Sequence, residues 1–98
     1  MPTYIATIQF TEQGIKGIQD TCKRAGAFKA AAKKLGVKVS AQYWTLGAFD
    51  GLLVLDAPDE EAVTAALVHL ASRGNVRTQT ARAFGAAEME QVLARLPQ

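Results

Sequence analysis

Residues 51–56 read Gly-Leu-Leu-Val-Leu-Asp, with Pro58 close behind. Leu52 to Leu55 are apolar without a break, and Pro58 stops the run at strand length. A strand apolar at successive positions has two faces that need cover, because side chains alternate from one side of a sheet to the other. In a chain of 98 residues few elements remain to supply it. A single domain over residues 1–98 of this size buries roughly 60–65% of its unfolded surface, so its core is adequate and not generous.

The flanking segments supply the rest of the pattern. Thr3 to Phe10 alternates as a strand, with Tyr4, Ala6, Ile8 and Phe10 on one face and the mixed set Thr3, Ile5, Thr7 and Gln9 on the other. Thr11 is placed to cap a helix starting near Glu12. Ile15, Ile18, Cys22, Ala25, Phe28, Ala32 and Leu35 then recur at helical spacing. Gly14 and Gly17 weaken the first turns, and Asp20-Thr21 offers a break and restart. Val37 to Leu46 alternates as a second strand, with Val37, Val39, Ala41 and Tyr43 against Lys38, Ser40, Gln42 and Trp44. Gly47 to Asp50 forms a turn. After the third strand, Asp59 caps a helix buried through Val63, Ala66, Leu67 and Leu70 and ended by Gly74-Asn75. Val76 to Phe84 is a fourth strand, and Ala86 to Leu96 a last helix with Met89, Val92, Leu93 and Leu96 on one face.

This order predicts an α+β, ferredoxin-like βαββαβ fold with an added C-terminal helix and a four-stranded antiparallel sheet. Right-handed crossovers put both long helices on one sheet face. Ile5, two of the four residues Leu52 to Leu55, and either Tyr43 or Trp44 would then lie on the other. An apolar face of that kind predicts pairing with a second copy or a ligand cleft, unless the last helix folds over it.

Net charge is +2, too small to imply nucleic acid. The charge is unevenly divided, with a basic half up to Phe49 and an acidic half after it, so complementarity across the fold or an interface is expected. No apolar run is long enough for a membrane span, and the N-terminus lacks the build of a secretory signal, so a cytoplasmic location is expected. The single cysteine, Cys22, has no metal-ligand neighbour and reads as a small helix residue facing the core. No cofactor is expected.

Four segments carry a wider resemblance: Thr11-Glu12-Gln13-Gly14, Gly47-Ala48-Phe49-Asp50, Gly74-Asn75-Val76-Arg77-Thr78 and Arg82-Ala83-Phe84. At these spacings the chain resembles the GYD-domain family from Pro2 to about Leu96. The family name refers to a Gly-x-Tyr-Asp turn. Phe49 stands in place of that tyrosine here, so no role of a phenolic hydroxyl carries over. The resemblance implies paired sheets of the dimeric α/β-barrel kind and leaves biochemical function open.

The residues expected to bind a ligand are Tyr43, Trp44, Asp50, Arg77 and Thr78; Arg82 is a further polar residue of interest. An Arg–carboxylate pair between Arg77 and Asp50 could form only where an interface brings them together. His69, the only histidine, reads as a helix-surface residue first and an acid–base group second. There is no nucleophile-elbow context, phosphate loop or paired metal ligand. The third strand has no aromatics to stack bases, which sets the chain apart from RNA-recognition domains of the same element order.

The functional expectation is a small homo-oligomeric domain that binds a small organic molecule in a pocket between its sheet and helices, lined by Tyr43, Trp44 and the open-face aliphatics. One alternative is a cofactor-independent monooxygenase- or isomerase-like enzyme. Another is an effector sensor, since the Gly-x-x-Asp turn and Gly-Asn-Val-Arg-Thr also resemble the ligand-binding domain of leucine-responsive regulators. Neither a nucleic acid nor a membrane is an expected partner.

Overall fold

A computed structural model describes all 98 residues. Its elements run β1 (Thr3–Phe10), α1 (Glu12–Lys16), a 3₁₀ turn (Ile18–Asp20), α2 (Thr21–Lys34), β2 (Lys38–Trp44), β3 (Gly51–Asp56), α3 (Glu60–Ser72), β4 (Val76–Ala83) and α4 (Ala86–Ala94). The strands form one antiparallel four-stranded sheet of order β2-β3-β1-β4. This is the expected ferredoxin-like α+β arrangement, with α2 and α3 on one side of the sheet.

The core lies between those helices and the sheet. Tyr4, Ala6 and Ile8 of β1 and Leu53 and Leu55 of β3 point into it. They meet Phe28 and Ala32 of α2 and Val63, Ala66 and Leu67 of α3. Each fully buried Leu or Val contributes about 1.5–3 kcal/mol relative to exposure. Caps fix the helix starts: the Thr11 hydroxyl accepts from Gly14 N–H and the Asp59 carboxylate from Ala62 N–H.

The first helical segment breaks, as its glycines and Asp20-Thr21 foretold, and the break has a cost for the apolar stripe. Only Phe28 and Ala32 of that stripe are buried. Ile15, Ile18 and Leu35 are exposed. Cys22 is exposed too, contrary to the core position expected of it: two steps of three residues carry it about 120° around α2 from the buried Phe28.

β2 departs from simple alternation. Val39 pairs with Leu55 but Ala41 pairs with Val54, so Ser40 is an extra residue in the strand. After this bulge the faces swap. Ala41 and Tyr43 turn to the open side, while Gln42 and Trp44 turn to the helix side. The Ser40 hydroxyl fixes the bulge by donating to Asp56 Oδ2 at 2.8 Å.

The open side carries Ile5, Leu52, Val54, Ala41 and Tyr43 at its centre. Ile5 is 36% and Tyr43 59% exposed. Lys38, Asp56, Gln9 and Arg77 edge this surface. α4 does not cover it: no α4 residue is buried, and Met89, Val92, Leu93 and the following Leu96 remain exposed. The base of α4 is held by Arg82, which lies over the Phe84 ring at 4.4 Å and pairs with Glu88 at 2.9 Å.

The expected charge complementarity between halves is not made by direct pairs within the chain. The two ion pairs, Glu12–Lys16 and Arg82–Glu88, each stay inside one half. Across the halves, the charge of Lys38 acts on Asp56.

Candidate functional site

Three of the four motif segments converge where β1 ends. The Phe10 N–H donates to Asp50 Oδ2 at 2.9 Å, and the Asp50 N–H donates to the Ile8 carbonyl. Thr11 donates through its N–H to Asn75 O at 3.1 Å and through its hydroxyl to Gly74 O at 2.6 Å. The Gln13 amide donates to the Arg73 carbonyl and to Asn75 Oδ1. Gly14 presses so closely on the Asn75 carbonyl that a Cβ there would collide with it. Gly47 turns the β2–β3 connection at φ +129°, a region open to glycine. The Gly47–Asp50 turn and the Gly74–Asn75 stop thus lock onto the two residues that follow one another out of β1.

Beside this lock, a cleft of about 250 Å³ opens between the sheet and the helices. Ile8, Gly51 and Leu53 form its floor, with Phe10 and Val76 at the end of the sheet. Thr21, Arg24, Ala25 and Phe28 of α2 make one wall, and His69, Leu70 and Arg73 of α3 the other. Gln42 and Trp44 close the β2 side. Gly51 sits opposite both Ile8 and Trp44 in the sheet, and a Cβ there would press on the Tyr43 carbonyl at 3.2 Å.

Polar groups converge on this apolar space. Arg24 is half-buried and held in place: its Nη1 donates to Gly17 O at 2.6 Å and its Nη2 to Gly14 O at 3.2 Å. His69 and Arg73 are one turn apart at the end of α3. The Trp44 indole donates to the Thr21 hydroxyl at 3.0 Å, tying the β2 end to the start of α2. No group of three or more His, Cys, Asp or Glu side chains is placed to hold a metal ion.

The five residues expected to bind a ligand divide between two places. Trp44 and Asp50 line the cleft. Tyr43 touches its edge, while its register directs the ring to the open face. Arg77 and Thr78 border a separate depression with Thr7, Gln9, Ala48 and Phe49. The open-face aliphatics, also expected to line the pocket, lie across the sheet from the cleft. Arg77 and Asp50 form no ion pair within the chain. Arg24, Phe28 and Arg73 were not among the expected site residues. The i, i+4 spacing of His69 and Arg73, just ahead of the Gly74-Asn75 stop, is a sequence signal for Arg73 alone; the sequence carries none that sets Arg24 and Phe28 in the site.

The profile of the GYD domain matches residues 4–93. The chain belongs to the GYD-domain family. Among curated proteins, this GYD domain is 36% identical over 90 residues to a protein of Thermus thermophilus named glutamine synthetase and cystathionine beta-lyase binding protein, covering 91% of this chain and 95% of that one. Among solved structures, the domain superposes on TTHA0845 from Thermus thermophilus with a TM-score of 0.57 and 24% identity, covering 88% of this chain and 96% of that one. It also superposes on MtbAldR with a TM-score of 0.61 and 16% identity. There it covers 86% of this chain and spans only 53% of the MtbAldR chain. At these identities the two structures show the shared fold of the GYD domain. No helix of the domain is long and apolar enough to cross a membrane.

Proposed function

We propose that this GYD domain is a self-associating module that binds a small organic molecule in the cleft between its sheet and its helices. The observation that carries the reading is the cleft itself, an apolar space with Arg24, Asp50, His69 and Arg73 converging on it. Ligand sites have this character, and at 250 Å³ the space is just below the usual range of roughly 300–1,000 Å³, which favours a small ligand. His69 is exposed and Asp50 is held by a backbone amide, so neither is set as the buried acid–base group a catalytic reading needs.

Trp44, the only tryptophan, lines the cleft and supplies the test. Its emission and the melting temperature are followed while small organic acids, amides and amines are added. A saturable response to at least one class is expected. A folded protein that responds to none refutes the reading.

Self-association is proposed through the open sheet face, with a second copy as the occupant. The face has an apolar centre and carries both signs of charge, Lys38 and Arg77 against Asp56, so it can complement itself about a two-fold axis. Light scattering behind size exclusion is expected to give twice the mass of the 10.5 kDa chain. A monomer at high concentration would contradict it.

One observation favours a second reading, docking on another protein. The apolar side of α4 has no cover in the chain, and the Thermus thermophilus relative is named for binding two enzymes. Co-elution with purified glutamine synthetase or cystathionine beta-lyase, lost in Leu93→Lys, is the expected result. Failure to co-elute with either enzyme rejects it.

A further inference from the structure

We infer that the cleft selects an organic anion, a single carboxylate on a compact apolar body. The inference rests on the cleft being a ligand site and adds the chemical class that it takes.

The cations come from both helical walls, Arg24 from α2 and Arg73 from the end of α3. Neither arginine has an ion-pair partner in the chain. The one carboxylate among the lining residues, Asp50, already accepts the Phe10 N–H through Oδ2. The balance of charge at the cleft is therefore positive.

Arg24 is also set in advance. Its guanidinium is held by two neutral backbone carbonyls, Gly14 O and Gly17 O, which orient it without cancelling its charge. A guanidinium has five N–H donors in a planar fork, so N–H groups remain for a ligand. That fork matches a carboxylate in two parallel hydrogen bonds. Little side-chain entropy is lost when a group already fixed in place is used.

The remaining surface sets the body of the ligand. Ile8 and Leu53 beneath, Phe28 at the side and Trp44 at the β2 edge give a flat apolar slot. A ring or a branched aliphatic group fits that chemistry. Inorganic anions would gain nothing from the slot.

The test uses the whole protein and four probes: phenylacetate, phenylacetamide, phenethylamine and inorganic phosphate. Trp44 emission and calorimetry read binding. Phenylacetate is expected to bind saturably and phenylacetamide at least about tenfold more weakly, the factor a charge-assisted hydrogen bond supplies. Arg24→Gln is expected to bring phenylacetate down to the affinity of the amide, and Arg73→Gln, at an exposed position, to weaken it part of the way without lowering the melting temperature. Equal binding of phenylacetate and phenylacetamide overturns the charge assignment and leaves the cleft as a ligand site. Tighter binding of phenethylamine overturns it in favour of Asp50 as the selecting charge. Phosphate binding as tightly as phenylacetate removes the apolar slot from recognition. If no organic probe binds, the cleft reading fails and this inference with it.

Discussion

Gly14 and Gly26 are both glycines within helices, and the structure gives them opposite meanings. A Cβ on Gly14 would run into the Asn75 carbonyl, a backbone group that cannot swing aside. A Cβ on Gly26 would meet nothing within 4 Å. Gly14→Ala is therefore expected to destabilise the protein by about 1–3 kcal/mol, the usual cost of forcing bulk into a packed contact. Gly26→Ala should stabilise it by about 0.5–1 kcal/mol, the gain from restricting a mid-helix glycine. Urea denaturation of both variants checks the contrast, and equal effects would rule out the close approach as the reason for Gly14. The sequence marked Gly14 as a weak point in a helix. It could not show why, because the carbonyl concerned belongs to Asn75, distant along the chain. Phe49 is similar. Its carbonyl accepts the Thr45 hydroxyl at 2.6 Å, a backbone role that any side chain at that position permits.

At the level of the element, β2 holds the surprise. The order of strands and helices was readable because apolar spacing changes period between them. The bulge was not, since Val37 to Trp44 alternates well enough to pass for a regular strand. Only the pairing partner, β3, shows that Ser40 is one residue too many. The same bulge governs a titration. The Ser40 hydroxyl does most to hold the Asp56 carboxyl below its ordinary value; partial desolvation opposes this, while the Thr3 hydroxyl and the Lys38 charge assist. A carboxylate with a lowered folded pKa adds stability above its unfolded pKa, and that stability goes as pH falls through the folded value. Wild type should thus be more stable than Asp56→Asn at neutral pH, with the advantage fading below about pH 3.9. Thermal melts across that range check it, and a constant difference at every pH would refute it. At the same end of the sheet, on the β4 edge, Arg82 and the Gly85 N–H likewise hold Glu88 low. Arg82→Ala should free α4, read as faster amide exchange in residues 86–94 with little change in the sheet.

The molecule as a whole measures 54 × 31 × 18 Å. The thin dimension is that of one sheet covered on one side, and the long one includes a helix none of whose residues is buried. Both follow from a shortage of cover that was legible in Leu52 to Leu55. The cleft lies between sheet and helices as expected, but which residues line it was not legible, because that depends on the two faces of β2. Val54→Lys puts a charge in the middle of the open face, opposite Ile5 in the β1–β3 pairing. It is expected to convert the proposed dimer to a monomer while leaving intact the proposed response of Trp44 to ligand. Loss of both together would mean that the cleft is complete only in the pair.

The added residue in β2 works as a frameshift works in a gene. The rest of β2 after Ser40 is read out on the opposite side, so of the neighbouring aromatics it is Trp44 that goes to the cleft and Tyr43 to the bare face. Delete Ser40, and the indole would exchange places with the phenol: the cleft would lose the one tryptophan and the bare face would gain the larger ring. A length change of one, which alters no charge and removes no core side chain, would rewrite both surfaces of this protein at once.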